Sequence, residues 1–226
     1  DGATATDTRT LTIGTVNAPP VFSSTPVTVV NEGSSYSYAI TTTDGNNDAR
    51  TITASQKPSW MTFRDNGDGT ATLTGNPLDP DEGRYPVVLT VSDGKGGTTE
   101  QRFEVSVLNM APVITSLTGS FTGDVGVLLS FKGVATDAGK DELTFSWNWG
   151  DGTQTSAGVD LTDAGHRYNN PGSYTLTLTV TDPDGGRDIE TRAVVVGISN
   201  APTFTSTPLT TATEGSLYTY PITAIG

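Results

Sequence analysis

The chain has no cysteine among its 226 residues and a single histidine, His166. The first absence removes disulfide frameworks, thiolate nucleophiles and zinc–sulfur sites. The second removes every His-rich metal motif and leaves one candidate for imidazole base catalysis. Apolar residues make up only 34% of the sequence, and no run of them approaches the roughly 20 residues of a membrane-spanning helix. The opening stretch DGATATDTRTLTIG has neither the basic nor the apolar region of a secretory signal, so any signal or anchor is expected outside it. Basic residues are also few: 12 Lys and Arg against 25 Asp and Glu leave a formal charge of −13. Such a surface repels phosphate backbones and anionic lipid, which argues against nucleic acid and membrane insertion and suits multivalent cations or simple solubility.

What the sequence does hold is turn chemistry: 26 Gly and 13 Pro, a composition that fits short strands alternating with turns. Tyr85, Val87, Leu89 and Val91 fall on one face, as do Tyr174, Leu176, Leu178 and Val180 with threonines at 175, 177, 179 and 181 opposite, the period of half-buried strands. Asn66-Gly67-Asp68-Gly69, Asp93-Gly94-Lys95-Gly96-Gly97 and Asp184-Gly185-Gly186 supply the positive φ of tight turns. No segment has convincing helical periodicity. The expected class is all-β.

Repeats divide the chain. Asn17-Ala18-Pro19 recurs as Asn200-Ala201-Pro202, with Asn109-Met110-Ala111-Pro112 between them, spaced about one sandwich apart. Each follows an acidic turn and an alternating strand, predicted at Thr8–Ile13, Arg102–Val107 and Thr191–Val196. The string from Phe22 through Glu32-Gly33, Tyr36 and Tyr38 to Ile40 recurs from Phe204 through Glu214-Gly215, Tyr218 and Tyr220 to Ile222. The organisation read from this is the last strand of an Ig-like domain (1–17), a full domain (18–110), a second and different full domain (111–198), and the opening strands of a further domain like the first (199–226). Neither terminal piece carries enough strands to close a core, and lone hairpins are marginal in water; completion by neighbouring repeats or chains is expected.

Residues 18–110 carry Pro58-Ser59-Trp60-Met61-Thr62-Phe63, Asp65-Asn66-Gly67-Asp68-Gly69-Thr70, Leu73-Thr74-Gly75-Asn76-Pro77, Gly83-Arg84-Tyr85 and Val91-Ser92-Asp93-Gly94. With these the stretch resembles the dystroglycan-type cadherin-like (putative Ig) domains of bacterial surface proteins. Residues 111–198 carry Phe145-Ser146-Trp147-Asn148-Trp149-Gly150-Asp151-Gly152, His166-Arg167-Tyr168, Pro171-Gly172-Ser173-Tyr174 and Val180-Thr181-Asp182, and resemble the polycystic kidney disease (PKD) domain. The resemblance implies tandem immunoglobulin-like β-sandwiches of an extracellular or cell-surface repeat protein, serving as spacers or adhesive modules.

It also implies calcium. Cadherin-like repeats hold the ion with a Glu near the first strand, paired acidic elements and acidic linkers, and hard cations need several oxygen ligands at once. Here Glu32 takes the first-strand place. Asp44 and Asp48 flank an oxygen-rich loop, Asp79, Asp81 and Glu82 follow Leu78, and Asp93 stands at the last turn. In the PKD-like stretch the counterparts are Asp124, Asp137, Asp141, Asp182 and Asp184. The linkers keep an Asn without acidic neighbours. The competing reading is that these acids only form Asx-turns beside glycine and stay solvated.

Signs of catalysis are weak. His166, in His-Arg-Tyr before a Pro-Gly-Ser-Tyr strand, reads as a structural residue, and paired carboxylates are unremarkable in so acidic a chain. No nucleophile-elbow or phosphate-loop motif is present. Trp147 and Trp149 lie two apart on one strand, hence on one face; turned outward they would be a sugar-stacking platform, turned inward a core. The function expected is a non-catalytic, calcium-stiffened spacer or adhesive segment. Its partners would be neighbouring repeats of the same polypeptide and cell-surface proteins or polysaccharide. The alternatives are a carbohydrate-binding accessory region of a secreted hydrolase and a subunit of an extracellular filament.

Overall fold

Alternation of buried and exposed side chains sets nearly every element. The structure is a computed structural model that describes residues 1–9, 14, 16–198 and 203–225. Residues 10–13 of the strand predicted over Thr8–Ile13, and the Asn200-Ala201-Pro202 linker, lie outside the described residues. Two compact units form: Asp1–Met110 with Asp137–Asp141, and Ala111–Thr136 with Glu142–Gly226. Among the described residues the only helical element is the 3₁₀ turn Asp79–Asp81, and the chain is all-β, as expected.

The first unit contains strands β1 (Val21–Phe22), β2 (Val29–Asn31), β3 (Tyr36–Thr43), β4 (Thr51–Gln56), β5 (Met61–Asp65), β6 (Thr70–Gly75), β7 (Gly83–Ser92) and β8 (Thr98–Leu108). They make two four-stranded sheets in the orders β1-β3-β6-β5 and β2-β8-β7-β4. Strand β3 alternates buried and exposed without a break, sending Tyr36, Tyr38 and Ile40 inward to meet Leu73, Leu89, Val91 and Val105. Each such fully buried side chain contributes roughly 1.5–3 kcal/mol. The buried Tyr36 hydroxyl donates to the Val27 carbonyl at 2.8 Å, so its polar end is satisfied; burial pushes its pKa up to about 12. Half-buried Trp60 packs edge-on against Tyr36 and Tyr85. Strand β2 pairs with β8 in parallel, Val29 opposite Ser106 and Asn31 opposite Leu108.

The second unit holds β9 (Val113–Gly119), β10 (Thr122–Asp124), β11 (Leu128–Thr136), β12 (Thr144–Asn148), β13 (Ser156–Val159), β14 (Asp163–Arg167), β15 (Gly172–Thr181) and β16 (Arg187–Gly197), followed by the short pair β17 (Thr203–Phe204) and β18 (Ala224–Ile225). Its sheets run β10-β16-β15-β12-β13 and β14-β11-β9, and β10 again pairs with β16 in parallel. Trp147 and Trp149 point into the core, 0% and 2% exposed, and stack on each other with centroids 6.2 Å apart. Trp147 Nε1–H donates to the Leu161 carbonyl at 2.9 Å.

His166 continues this aromatic column, lying flat on Trp149 at 4.7 Å with its Nε2 2.7 Å from Asp151 Oδ2. Burial pushes the Asp151 carboxyl up, but hydrogen bonds from Thr153 and His166 outweigh it and hold it below the usual carboxylate range. The histidine thus fastens the turn after β12 to β14, and its ring is occupied by packing rather than presented to a substrate.

Candidate metal centre

The predicted acids sit in two kinds of loop. Asp44 follows β3 and Asp48 precedes β4; Asp137 follows β11 and Asp141 precedes β12. Both loops are built alike. Asp44 Oδ1 accepts the N–H groups of Asn46 (2.8 Å) and Asp48 (3.0 Å), and Asp137 Oδ1 accepts those of Gly139 (2.7 Å) and Lys140 (3.1 Å). Asn47 and Lys140 take the same left-handed position, φ 60° and 71°, strained for a side chain other than Gly but tolerated by Asn. The second kind of loop follows β7 and β15. Asp93 Oδ1 accepts from Lys95 and Gly97 at 2.8 and 2.9 Å, and Asp182 Oδ1 from Gly186 at 2.7 Å.

These are Asx-turns, yet turn-building and ion-binding do not compete, because a carboxylate has two oxygens. Oδ1 shapes the loop in each case. Oδ2 of Asp44, Oδ2 of Asp137 and both oxygens of Asp141 are buried with no hydrogen-bond donor. Buried polar atoms are normally satisfied, and an orphaned anionic oxygen is costly.

In the first unit three carboxylates converge: Glu32, Asp137 and Asp141 each place an oxygen within 4.8 Å of the other two. Glu32 follows β2, is 0% exposed, and accepts the Met110 N–H through Oε1 at 2.8 Å. The backbone of Ala138-Gly139 runs against it so closely that a Cβ on Gly139 would stand 2.0 Å from Glu32 Oε2, and one on Gly33 2.2 Å from the Ala138 carbonyl oxygen. Glycine at both positions is what lets the carboxylates approach. Asp79 adds to the same region, its N–H donating to the Gly139 carbonyl at 3.1 Å.

Asp141 registers the crowding. Burial foremost, then the neighbouring carboxyls of Asp79 and Asp137, then the negative charge of Glu32 and Asp137, push its carboxyl up to about 8. A group so raised gives stability that is complete below its unfolded pKa near 4 and is lost as pH climbs through the folded value. In chelator, the first unit is therefore expected to lose stability between about pH 4 and about pH 8. Asp141→Asn should flatten that slope. Urea unfolding at a series of pH values checks it; identical slopes in parent and variant would refute the assignment.

A second trio, Asp44, Asp48 and Asp93, also has oxygens within 4.8 Å of one another. Asn17 Nδ2 donates to Asp93 Oδ2 at 2.7 Å, and the Ala18 N–H donates to Asn46 Oδ1 at 2.7 Å. Hydrogen bonds from the Lys95 N–H and the Asn17 amide hold the Asp93 carboxyl below the usual range. The donor set of both trios is oxygen alone, which suits calcium or magnesium rather than a softer metal.

The remaining predicted residues have other positions. Asp81 Oδ2 accepts the Leu78 N–H at 3.2 Å and closes the 3₁₀ turn, and Glu82 follows it, partly buried. In the second unit Asp182 is buried in its turn, while Asp184 at the tip of that turn and Asp124 on β10 are exposed. Sequence reasoning passed over Asn17, Gly33 and Gly139. The signal available was the repeat of Thr-Asp-x-x-x-Asp at Thr43–Asp48 and Thr136–Asp141.

Two family models match successive stretches of the chain. Residues 19–108 match the family described as "Putative Ig domain", and residues 109–196 match the PKD domain family. Among solved structures, the PKD domain of an M14-like peptidase from a Thermoplasmatales archaeon is 25% identical over 39% of this chain and 98% of that one, with a TM-score of 0.36. The PKD1 domain of Vibrio anguillarum Epp is 29% identical over 41% of this chain and all of that one, TM-score 0.33. The titin domains z1z2, solved with telethonin, are 20% identical over 82% of this chain and all of that one, TM-score 0.48.

Proposed function

We propose that this chain is a non-catalytic spacer or adhesive segment of an extracellular repeat protein, built of a dystroglycan-type cadherin-like domain (18–110) and a PKD domain (111–198), and that calcium sets its rigidity. The observation that carries the calcium reading is Asp141. It is 9% exposed, both its oxygens lack donors, and it faces Glu32 and Asp137 within 4.8 Å. An ion placed among these carboxylates would replace mutual repulsion by shared coordination and pin residues 137–141 against Glu32 and Gly33. The non-catalytic reading is supported by the His166 ring being consumed in a stack and by the absence of a nucleophile–base pair in the sequence.

Small-angle scattering of the chain in calcium and in chelator tests the mechanical part. Calcium is expected to narrow the spread of interatomic distances, and Asp141→Asn should scatter alike in both buffers. Parent curves that superimpose would overturn ion-dependent rigidity.

A further inference from the structure

The second trio of the first unit already contains a cation. Lys95 Nζ stands 2.5 Å from Asp48 Oδ1. The contact with Asp48, with the charges of Asp93 and Asp44 behind it, favours the protonated amine beyond its ordinary range. The Lys95 side chain is 62% exposed whereas that of Asp48 is 11% exposed, so the ammonium reaches in from solvent on a flexible stem and can withdraw the same way. Asn17, Gly45, Asn46, Asp48 and Lys95 line an open cavity of about 340 Å³ there. On its inner side Asp44, 9% exposed, holds Oδ2 buried and without a donor. One ammonium faces three carboxylates and contacts Asp48 Oδ1 alone, which leaves Asp44 Oδ2 and Asp48 Oδ2 buried without donors.

We propose that Lys95 is a tethered stand-in for a divalent cation at Asp44, Asp48 and Asp93, so that this trio takes calcium only by expelling the ammonium and is the low-affinity site of the chain. The turn that carries Lys95, Asp93-Gly94-Lys95-Gly96-Gly97, matches Asp182-Pro183-Asp184-Gly185-Gly186 of the second unit. The two share the Asp-to-Gly hydrogen bonds from N–H to Oδ1 and from N–H to carbonyl. In that common frame the middle position is a lysine in one turn and an aspartate in the other. Nothing in the turn geometry requires a lysine, since its side chain makes no contact that shapes the loop. Its charge is what distinguishes it.

The inference rests on the calcium reading above only in its choice of probe. Calcium chloride is titrated calorimetrically into the full chain at low ionic strength, using the parent, Lys95→Gln and Lys95→Gln with Asp48→Asn. Each is repeated on an Asp141→Asn background that disables the Glu32 trio. Because the Lys95 side chain is 62% exposed and its contact is one surface-reaching ion pair, Lys95→Gln is expected to fold as the parent, with circular dichroism as the check. Removing the ammonium should tighten one class of sites by about tenfold, a factor set by one unit charge at near-contact distance in a solvent-screened setting. Asp48→Asn should reverse the gain, and added sodium chloride should shrink it. Isotherms of Lys95→Gln that overlay the parent on both backgrounds, or a gain that survives Asp48→Asn, would overturn the proposal. If Asp141→Asn changes nothing while Lys95→Gln still gains affinity, the Glu32 trio fails as a calcium site and the lysine proposal stands.

Discussion

Saturating calcium is expected to raise the melting temperature of the first unit by roughly 10–20 °C, because a ligand at a hundredfold excess over its Kd adds about 2.7 kcal/mol and a domain of this size shifts about 4–8 °C per kcal/mol. The gain comes from a native state that is handicapped without the ion. Glu32 and Asp141 are buried, the third carboxylate lies within 4.8 Å, and the unfolded chain has no such concentration of charge to relieve. Asp141→Asn keeps one carbonyl oxygen but removes the charge, so it should raise the melting temperature in chelator and abolish most of the calcium shift. Differential scanning calorimetry in calcium and in chelator reads both effects. A parent that melts at one temperature in the two buffers, or a variant that shifts as much as the parent, would refute calcium at this trio.

Trp147→Ala should be the most damaging single change in the second unit. Truncating a buried tryptophan costs about 3–5 kcal/mol through lost burial and the cavity left behind. Here the change also strips the Leu161 carbonyl of its Nε1–H donor and removes one face of the stack that continues through Trp149 to His166. A domain holds only about 5–15 kcal/mol in total. The second unit is expected to melt at least about 12 °C lower, or not to fold, while the first unit's transition stays in place. A variant whose second transition lies within about 2 °C of the parent would contradict the packing described. The same burial bears on sugar recognition. With Trp147 and Trp149 at 0% and 2% exposed, the strand presents no outward tryptophan pair on which a sugar ring could stack.

The parts of this molecule that were readable from sequence are those governed by local period. Leu176, Leu178 and Val180 alternate with threonines and are buried as that pattern requires, and Trp147 and Trp149 share a face because they are two residues apart. Glu32 as a candidate ligand came from the resemblance to cadherin-like repeats, since no local period marks such a residue. What escaped depends on distant segments meeting. Asn17 reaches Asp93 across 76 positions, and Lys95 reaches Asp48 across 47. Nothing within the Asp-Gly-Lys-Gly-Gly turn indicates that its lysine turns back into an acidic loop. Gly139 looks like any turn glycine until Glu32 is placed against it. The Asx-turn and the metal ligand were opposed readings of the same aspartates; Oδ1 of Asp44 and Asp137 builds the turn, and Oδ2 of each is left without a donor.

Strands β2 and β8 run in the same direction side by side, as do β10 and β16. In each unit one strand of the pair is near the entrance of the chain and the other near its exit. A pull on the two ends therefore slides these strands along each other, loading the rungs of Val29, Val30 and Asn31 against Ser106, Val107 and Leu108 together instead of peeling them one at a time. Tension that reaches these pairs meets a clasp that shears as a whole.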